Sequence, residues 1–283
     1  IARASDRLSD LLLPAEGLLP PGTEICFVPD KQLNEVPFAA LRIPASKSYL
    51  IQDHAIRILP SASLYLRAGS SRRRSSGSPD ALLVGATEFD RTLFPRLPSL
   101  QGVSEEITKI RGLYGRSSVI EGAQATRSRL LDEIDRHEVF QYAGHAMFNP
   151  RYPGHSFFLL APEAGDTGLL FAHEIASHRF DKLRLVVLSA CSTLGPLDTR
   201  TGGLSGMARP FLAAGVPAVL GTLWDVRDEP AQHLVPEFHR RWLASGNAAE
   251  ALRGAQLAMM QSPDPALRSP AAWASFELVG GFD

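Results

Sequence analysis

The chain has 283 residues, 45% of them hydrophobic, enough for one large α/β domain or for a core domain with a smaller appendage. Twenty-nine basic residues balance thirty acidic ones, and the net charge of −1 argues against an overall electrostatic partner such as DNA or an anionic membrane surface. Two cysteines, Cys26 and Cys191, exclude a disulfide framework and make a reducing cytoplasm the expected compartment.

The first part reads as one helix followed by short β segments. EICFVP at 24–29 is a strand candidate that places Cys26 in an apolar, structural setting, and LNEVPFAALR and HAIRILPS follow it. AGSSRRRSSGSPD at 68–80 is a linker: Ser, Gly and Pro around three arginines bury no apolar area, so mobility is expected. Beyond it the pattern becomes regular. ALLVG at 81–85 is a buried strand, and Val103, Ile107, Ile110 and Tyr114 fall on one helical face. Ser118–Glu121 is a short strand. Leu130, Leu131 and Ile134 mark a helix with Thr126 as its N-cap. Glu138–Ala143 is a strand, Ser156–Leu160 is extended, and a helix is expected around His173–His178.

LRLVVLSA at 183–190 is the strongest strand. Leu204, Met207, Ala208, Phe211 and Leu212 have helical spacing, and Gly215 with Pro217 ends that helix. Ala218–Leu223 is another strand. Leu234, Val235, Phe238 and Trp242 share a helix face, and Asn247 with Glu250 forms a capping box for a helix ending near Gln261. Phe276–Val279 is a last strand. Strands alternating with helices predict a mostly parallel sheet covered on both faces.

Reactive groups stand where two apolar strands stop. QYAGH brings His145 to the end of the 138–143 strand, and LSAC brings Cys191 to the end of the 183–190 strand. Carboxyl ends of strands face the ligand crevice of an open α/β sheet, so neighbouring parallel strands would carry both groups to one rim. A thiol is a nucleophile only as thiolate; an imidazole beside it can take its proton and later protonate a leaving amine. Backbone N–H groups at Gly144–Ala146 and at Cys191 can hold the oxyanion, and Gly195, Gly202 and Gly203 permit close approach to substrate. Packing alone also explains a Cys that ends a core strand.

Other motifs fail. His173-Glu174 with His178 has a spacing that turns the second His about 140° around a helix, so no zinc site is expected. There is no GxSxG elbow and no GxxxxGK[ST] phosphate loop.

AGHAMFNP around His145 and VVLSACSTLGP around Cys191 resemble the CHAT family, the caspase-like domains often joined to TPR repeats. The resemblance runs through VPDKQLNEVPFAALR, ILPSASL, ALLVGATEFD, LPSLQGVSEEITKI, GGLSGMARPFLAAGVPAVLGTLWDVRD and NAAEALRGAQLAMM, nearly the whole chain. It implies a caspase-like α/β/α sandwich with a mostly parallel central sheet and a small N-terminal β-rich extension. Residues 1–67 would be the extension, 68–80 the linker and 81–283 the peptidase core. Related caspases, separases and gingipains share His-Gly, a spacer, then Ala-Cys. Here Ala146 follows the His, which keeps the backbone N–H, while Ala190-Cys191 matches. The caspase signature QAC[RQG]G is absent. LWDVRDEP is similar to the separase stretch whose acidic side chain reads a basic P1 residue, which makes Asp225 the S1 candidate and Asp228 the second; Asp228 can equally cap a helix near Pro230, and Trp224 can wall the pocket or pack in the core.

The expected activity is endopeptidase cleavage of a protein substrate, with Cys191 attacking and His145 handling protons. No cofactor is required, and no loop resembles a calcium-binding EF-hand. A catalytically silent scaffold and a reversible acyl transferase on the same dyad remain open. Control by a TPR or other regulatory module is implied, with Ser192–Gly203 as the switch and the isolated chain weakly active. No signal peptide opens the chain and no apolar run approaches a membrane span, so neither membrane nor direct nucleic-acid binding is expected. The chain begins with Ile1 rather than Met, so it is expected to be a fragment of something longer or a trimmed form.

Overall fold

A computed structural model describes residues 2–13, 19–43, 46–61, 78–190, 193–195, 206–226 and 228–281. Most of the 68–80 linker, Leu204 and most of the expected switch, Ser192–Gly203, therefore lie outside the described residues.

An opening helix, α1 (Ala2–Leu12), precedes β1 (Ile25–Phe27) and β2 (Ile56–Ile58). Then come β3 (Ala81–Ala86), α2 (Val103–Arg111), β4 (Ser117–Glu121), α3 (Arg127–Ile134) and β5 (Val139–Gly144). Three short strands follow, β6 (Ala146–Met147), β7 (Phe157–Leu159) and β8 (Leu169–Phe171), then α4 (Ala172–Ser177) and β9 (Leu185–Ser189). The chain closes with α5 (Ala208–Ala213), β10 (Ala218–Thr222), α6 (Asp228–Ser245), α7 (Ala248–Met260) and β11 (Phe276–Gly280). Two predicted caps form: Thr126 Oγ1 accepts from the Arg129 amide, and the Asn247 side chain accepts from the Glu250 amide at 2.9 Å.

The central sheet has eight strands in the order β1-β2-β11-β10-β9-β5-β3-β4. Every pairing in it is parallel except β10 with β11. The fold is the expected caspase-like α/β sandwich, and its N-terminal extension supplies β1 and β2 to one edge of the same sheet. The alternation of β5 divides the layers. Phe140 and Tyr142 point to one face, where their rings meet Phe211 of α5 and Phe158. Gln141 points to the other, where it meets Glu106 of α2 and His239 of α6. Both faces of β3 and β5 are covered, which explains why these strands read as near-continuous apolar runs.

A second sheet, β6-β7-β8, is antiparallel and was not expected from the sequence beyond the extended segment 156–160. Cys26 departs from its expected structural burial. It lies on β1, at the sheet's edge, and is exposed. A three-residue edge strand has too little of the sheet around it to cover both faces. Among the described residues no helix is long and apolar enough to cross a membrane.

Candidate active site

β5 and β9 are parallel neighbours with Ala143 opposite Ser189. Two hydrophobic strands fixed in this register deliver their next residues to one rim. His145 and Ala190 both line the cleft there, together with Glu106, Gly144, Ser189 and Thr222. Cys191 is the next residue after Ala190 and itself lies outside the described residues.

His145 is buried and oriented by backbone. Its Nε2 is 2.9 Å from the Pro98 carbonyl oxygen. A carbonyl can only accept, so Nε2 carries a proton, and in the neutral ring Nδ1 keeps the lone pair. The ring stands edge-on to Phe89, with centroids 5.2 Å apart, and the Arg91 guanidinium covers that Phe. Below it, the Tyr142 hydroxyl lies 2.7 Å from the His145 carbonyl and 2.8 Å from that of Leu159. Burial keeps this phenol protonated, far above its ordinary pKa, so it remains a donor. Gly144 has a packing reason of its own: a Cβ there would lie 2.7 Å from the Tyr142 hydroxyl. Ala146 enters the second sheet opposite Phe158.

The residues flanking positions 191–192 are clamped by Thr222 at the end of β10. Its Oγ1 donates to the Ala190 carbonyl at 2.7 Å and accepts from the Thr193 amide at 3.3 Å. Its own amide donates to Thr193 Oγ1 at 2.8 Å. Gly195 has φ of +70°, and a Cβ there would lie 2.7 Å from the Gly206 amide. Gly195 is thus required for close backbone packing against Gly206; Gly202 and Gly203 lie outside the described residues. Thr222 carried no motif, and its only signal was a hydroxyl ending an apolar strand.

Glu106 was also missed. It is buried, accepts from Gln141 Nε2 and from Ser189 Oγ, each at 2.9 Å, and lines the same cleft as His145. In sequence it reads only as a polar position on the α2 surface.

The acidic pair predicted for S1 lies beyond β10. Asp225 is exposed next to cleft-lining Val226, and Asp228 is the first residue of α6. Trp224 is partly buried and donates from its indole to the Ala271 carbonyl, which makes it a packing residue. Glu174 is bound to Arg127, and His173 Nδ1 is 2.9 Å from the Gly154 carbonyl.

The CHAT domain family model matches residues 2–281. Tetratricopeptide repeat protein 28 is 28% identical in mouse and 26% in human, each match covering 96% of this chain. The chain spans 13% of the length of these curated relatives. Among solved structures, the Saccharomyces cerevisiae separase–securin complex has a similar fold, with a TM-score of 0.53, 18% identity and coverage of 88% of this chain and 15% of that one. The Arg-specific cysteine proteinase gingipain R gives a TM-score of 0.62 at 11% identity, covering 99% of this chain and 67% of that one.

Proposed function

The chain belongs to the CHAT domain family, and from that premise we propose that it is a cysteine endopeptidase using His145 and Cys191. The observation that carries this reading is the orientation of His145, whose Nε2 is committed to the Pro98 carbonyl, while β9 ends at Ser189 on the same cleft, two residues before Cys191. In the proposed reaction Nδ1 takes the thiol proton and the sulfur attacks the scissile carbonyl carbon. The oxyanion is held by backbone N–H groups among Gly144, Ala146 and Cys191. The imidazolium protonates the departing amine. Water then attacks the thioester, gives its proton to the same imidazole, and the thiol is restored.

The substrate is proposed to be a protein cut after a basic residue, with Asp225 as an acidic group near the site and Asp228 as a second. Gingipain R, which has a similar fold, is Arg-specific by its description, and this supports the proposed basic preference. Regulation by a TPR module is proposed from the relatives, which are tetratricopeptide repeat proteins far longer than this chain. A peptide-library cleavage profile, run with the unaltered chain and Cys191→Ala in parallel, tests the reading. Cleavage after Arg or Lys that vanishes in Cys191→Ala supports it; no cleavage by either favours a binding scaffold.

A further inference from the structure

The His145 imidazole meets two supports, and one arginine stands behind both. The first support is the Pro98 carbonyl, 2.9 Å from Nε2. Pro98 has no N–H with which to anchor itself, so its carbonyl is placed by its neighbours. The stretch 87–102, between β3 and α2, has neither helix nor strand to fix it. Arg91 supplies that fixing. Its Nη1 donates to the Leu97 carbonyl at 2.8 Å and its Nη2 to Ser99 Oγ at 2.9 Å, one contact on each side of Pro98. The second support is Phe89, whose buried ring stands edge-on to His145 with centroids 5.2 Å apart. The Arg91 guanidinium carbon lies over that ring, 4.2 Å from its centroid. Asp90 holds the turn that carries Arg91: its Oδ1 accepts from the Thr92 amide at 2.8 Å and from the Thr92 hydroxyl at 2.6 Å.

Arg91 is exposed, and most exposed arginines simply carry charge into water. This one uses its planar face and two arms of its fork at once, a set of contacts that a lysine ammonium does not reproduce. The three partners are a carbonyl, a hydroxyl and an aromatic ring, none of them acidic. Their common feature is that each adjoins something the imidazole rests on. Leu97 and Ser99 flank the carbonyl that accepts from Nε2, and Phe89 is the ring beside it. We infer that Arg91 is a positioning residue: it sets the Pro98 carbonyl and the Phe89 ring, and through them the tautomer and orientation of His145. Its effect on cleavage rests on the peptidase reading, whereas its effect on the imidazole does not.

Nitrogen NMR of the 283-residue chain, labelled with 15N-His, reads the imidazole directly and needs no cleavage. In the unaltered chain at neutral pH, His145 should hold its proton on Nε2. Arg91→Gln is expected to speed exchange of that proton with water at least about fivefold and to raise the share of the Nδ1–H tautomer, with the thermal unfolding midpoint within a few degrees. Arg91→Lys, which keeps the charge and loses the fork, should behave like Arg91→Gln. Ser99→Ala removes one acceptor only. It should give a smaller change alone and none in addition to Arg91→Gln, and it carries the test if Arg91→Gln does not fold. In the activated chain, Arg91→Gln should lower kcat about tenfold while KM changes less than about twofold. A His145 proton on Nδ1 in the unaltered chain, or one indifferent to Arg91→Gln, overturns the inference. So does full recovery by Arg91→Lys, or a loss carried by KM alone. Absence of cleavage by the unaltered chain would sink the peptidase reading and leave the imidazole measurement to decide this one.

Discussion

Nε2 of His145 lies 2.9 Å from the carbonyl oxygen of Pro98. Since that oxygen cannot donate, the bond selects one tautomer and leaves Nδ1 free to act as base. Nitrogen NMR of the 15N-His-labelled chain at neutral pH should show the His145 proton on Nε2. A proton on Nδ1 would remove the base from the proposed mechanism. The acceptor is backbone, so Pro98→Ala should cost less than about tenfold in cleavage rate, whereas His145→Ala should abolish cleavage.

Thr222 is expected to matter for rate more than for stability. It holds the Ala190 carbonyl and the Thr193 amide, the two sides of positions 191–192. Thr222→Val keeps the shape and removes the hydroxyl. The predicted cost is about 1–2 kcal/mol in unfolding free energy and roughly 10- to 100-fold in kcat/KM through misplacement of the nucleophile. Thr222→Ser should recover most of the rate. Unaltered kinetics in Thr222→Val would show that the clamp does not position Cys191.

The fold, and the place of His145 just after β5, were legible because they depend on patterns that a chain must display. A buried parallel strand has to be apolar on both faces, so 81–85, 138–143 and 183–190 stood out, and the residues at their ends followed from them. Thr126 and Asn247 were readable because a cap must be local. Gln141 shows where this reasoning stops. It is one polar residue in a buried strand, and its partners Glu106 and His239 are 35 and 98 residues away. Nothing within a helical or strand period links them. Thr222 and Ala190 are likewise 32 residues apart. Cys26 was misread because apolar neighbours in sequence predict burial only if the strand is interior, and edge position is a property of the whole sheet.

Glu277 should make stability depend on pH. It lies on β11, and burial raises its pKa from 4.5 to about 8, against a hydrogen bond from the Phe38 backbone. The folded chain then keeps a proton that the unfolded chain loses above pH 4.5. Stability from this group is full below that pH, falls as pH rises toward 8, and levels off beyond. Glu277→Gln should remove roughly a few kcal/mol of that loss. Urea unfolding at about pH 5.5 and 8.5 measures it. An equal pH dependence in both proteins would refute the buried-carboxylate reading.

Regulation and specificity meet in one further expectation. The isolated chain is predicted to cleave weakly and to gain activity when joined to the TPR module of its family. Once active it should cut itself after Arg72, Arg73 or Arg74, basic residues set among Ser and Gly, with the reaction occurring between molecules. Mass spectrometry of the fragments reads the sites, and a rate that rises with protein concentration identifies the intermolecular route. Full activity without any partner, or cuts after Asp or large apolar residues, would contradict this.

The central claim is that Cys191, with His145 as its base, breaks peptide bonds. Its most direct measurement is the cleavage rate of a protein substrate by the activated chain, with Cys191→Ala and His145→Ala assayed beside it at matched folded fraction. The account predicts that each substitution removes cleavage to the detection limit and leaves the thermal unfolding midpoint within a few degrees. A loss of only a few-fold in either variant, or no cleavage by the unaltered protein with its regulatory module in place, would contradict it.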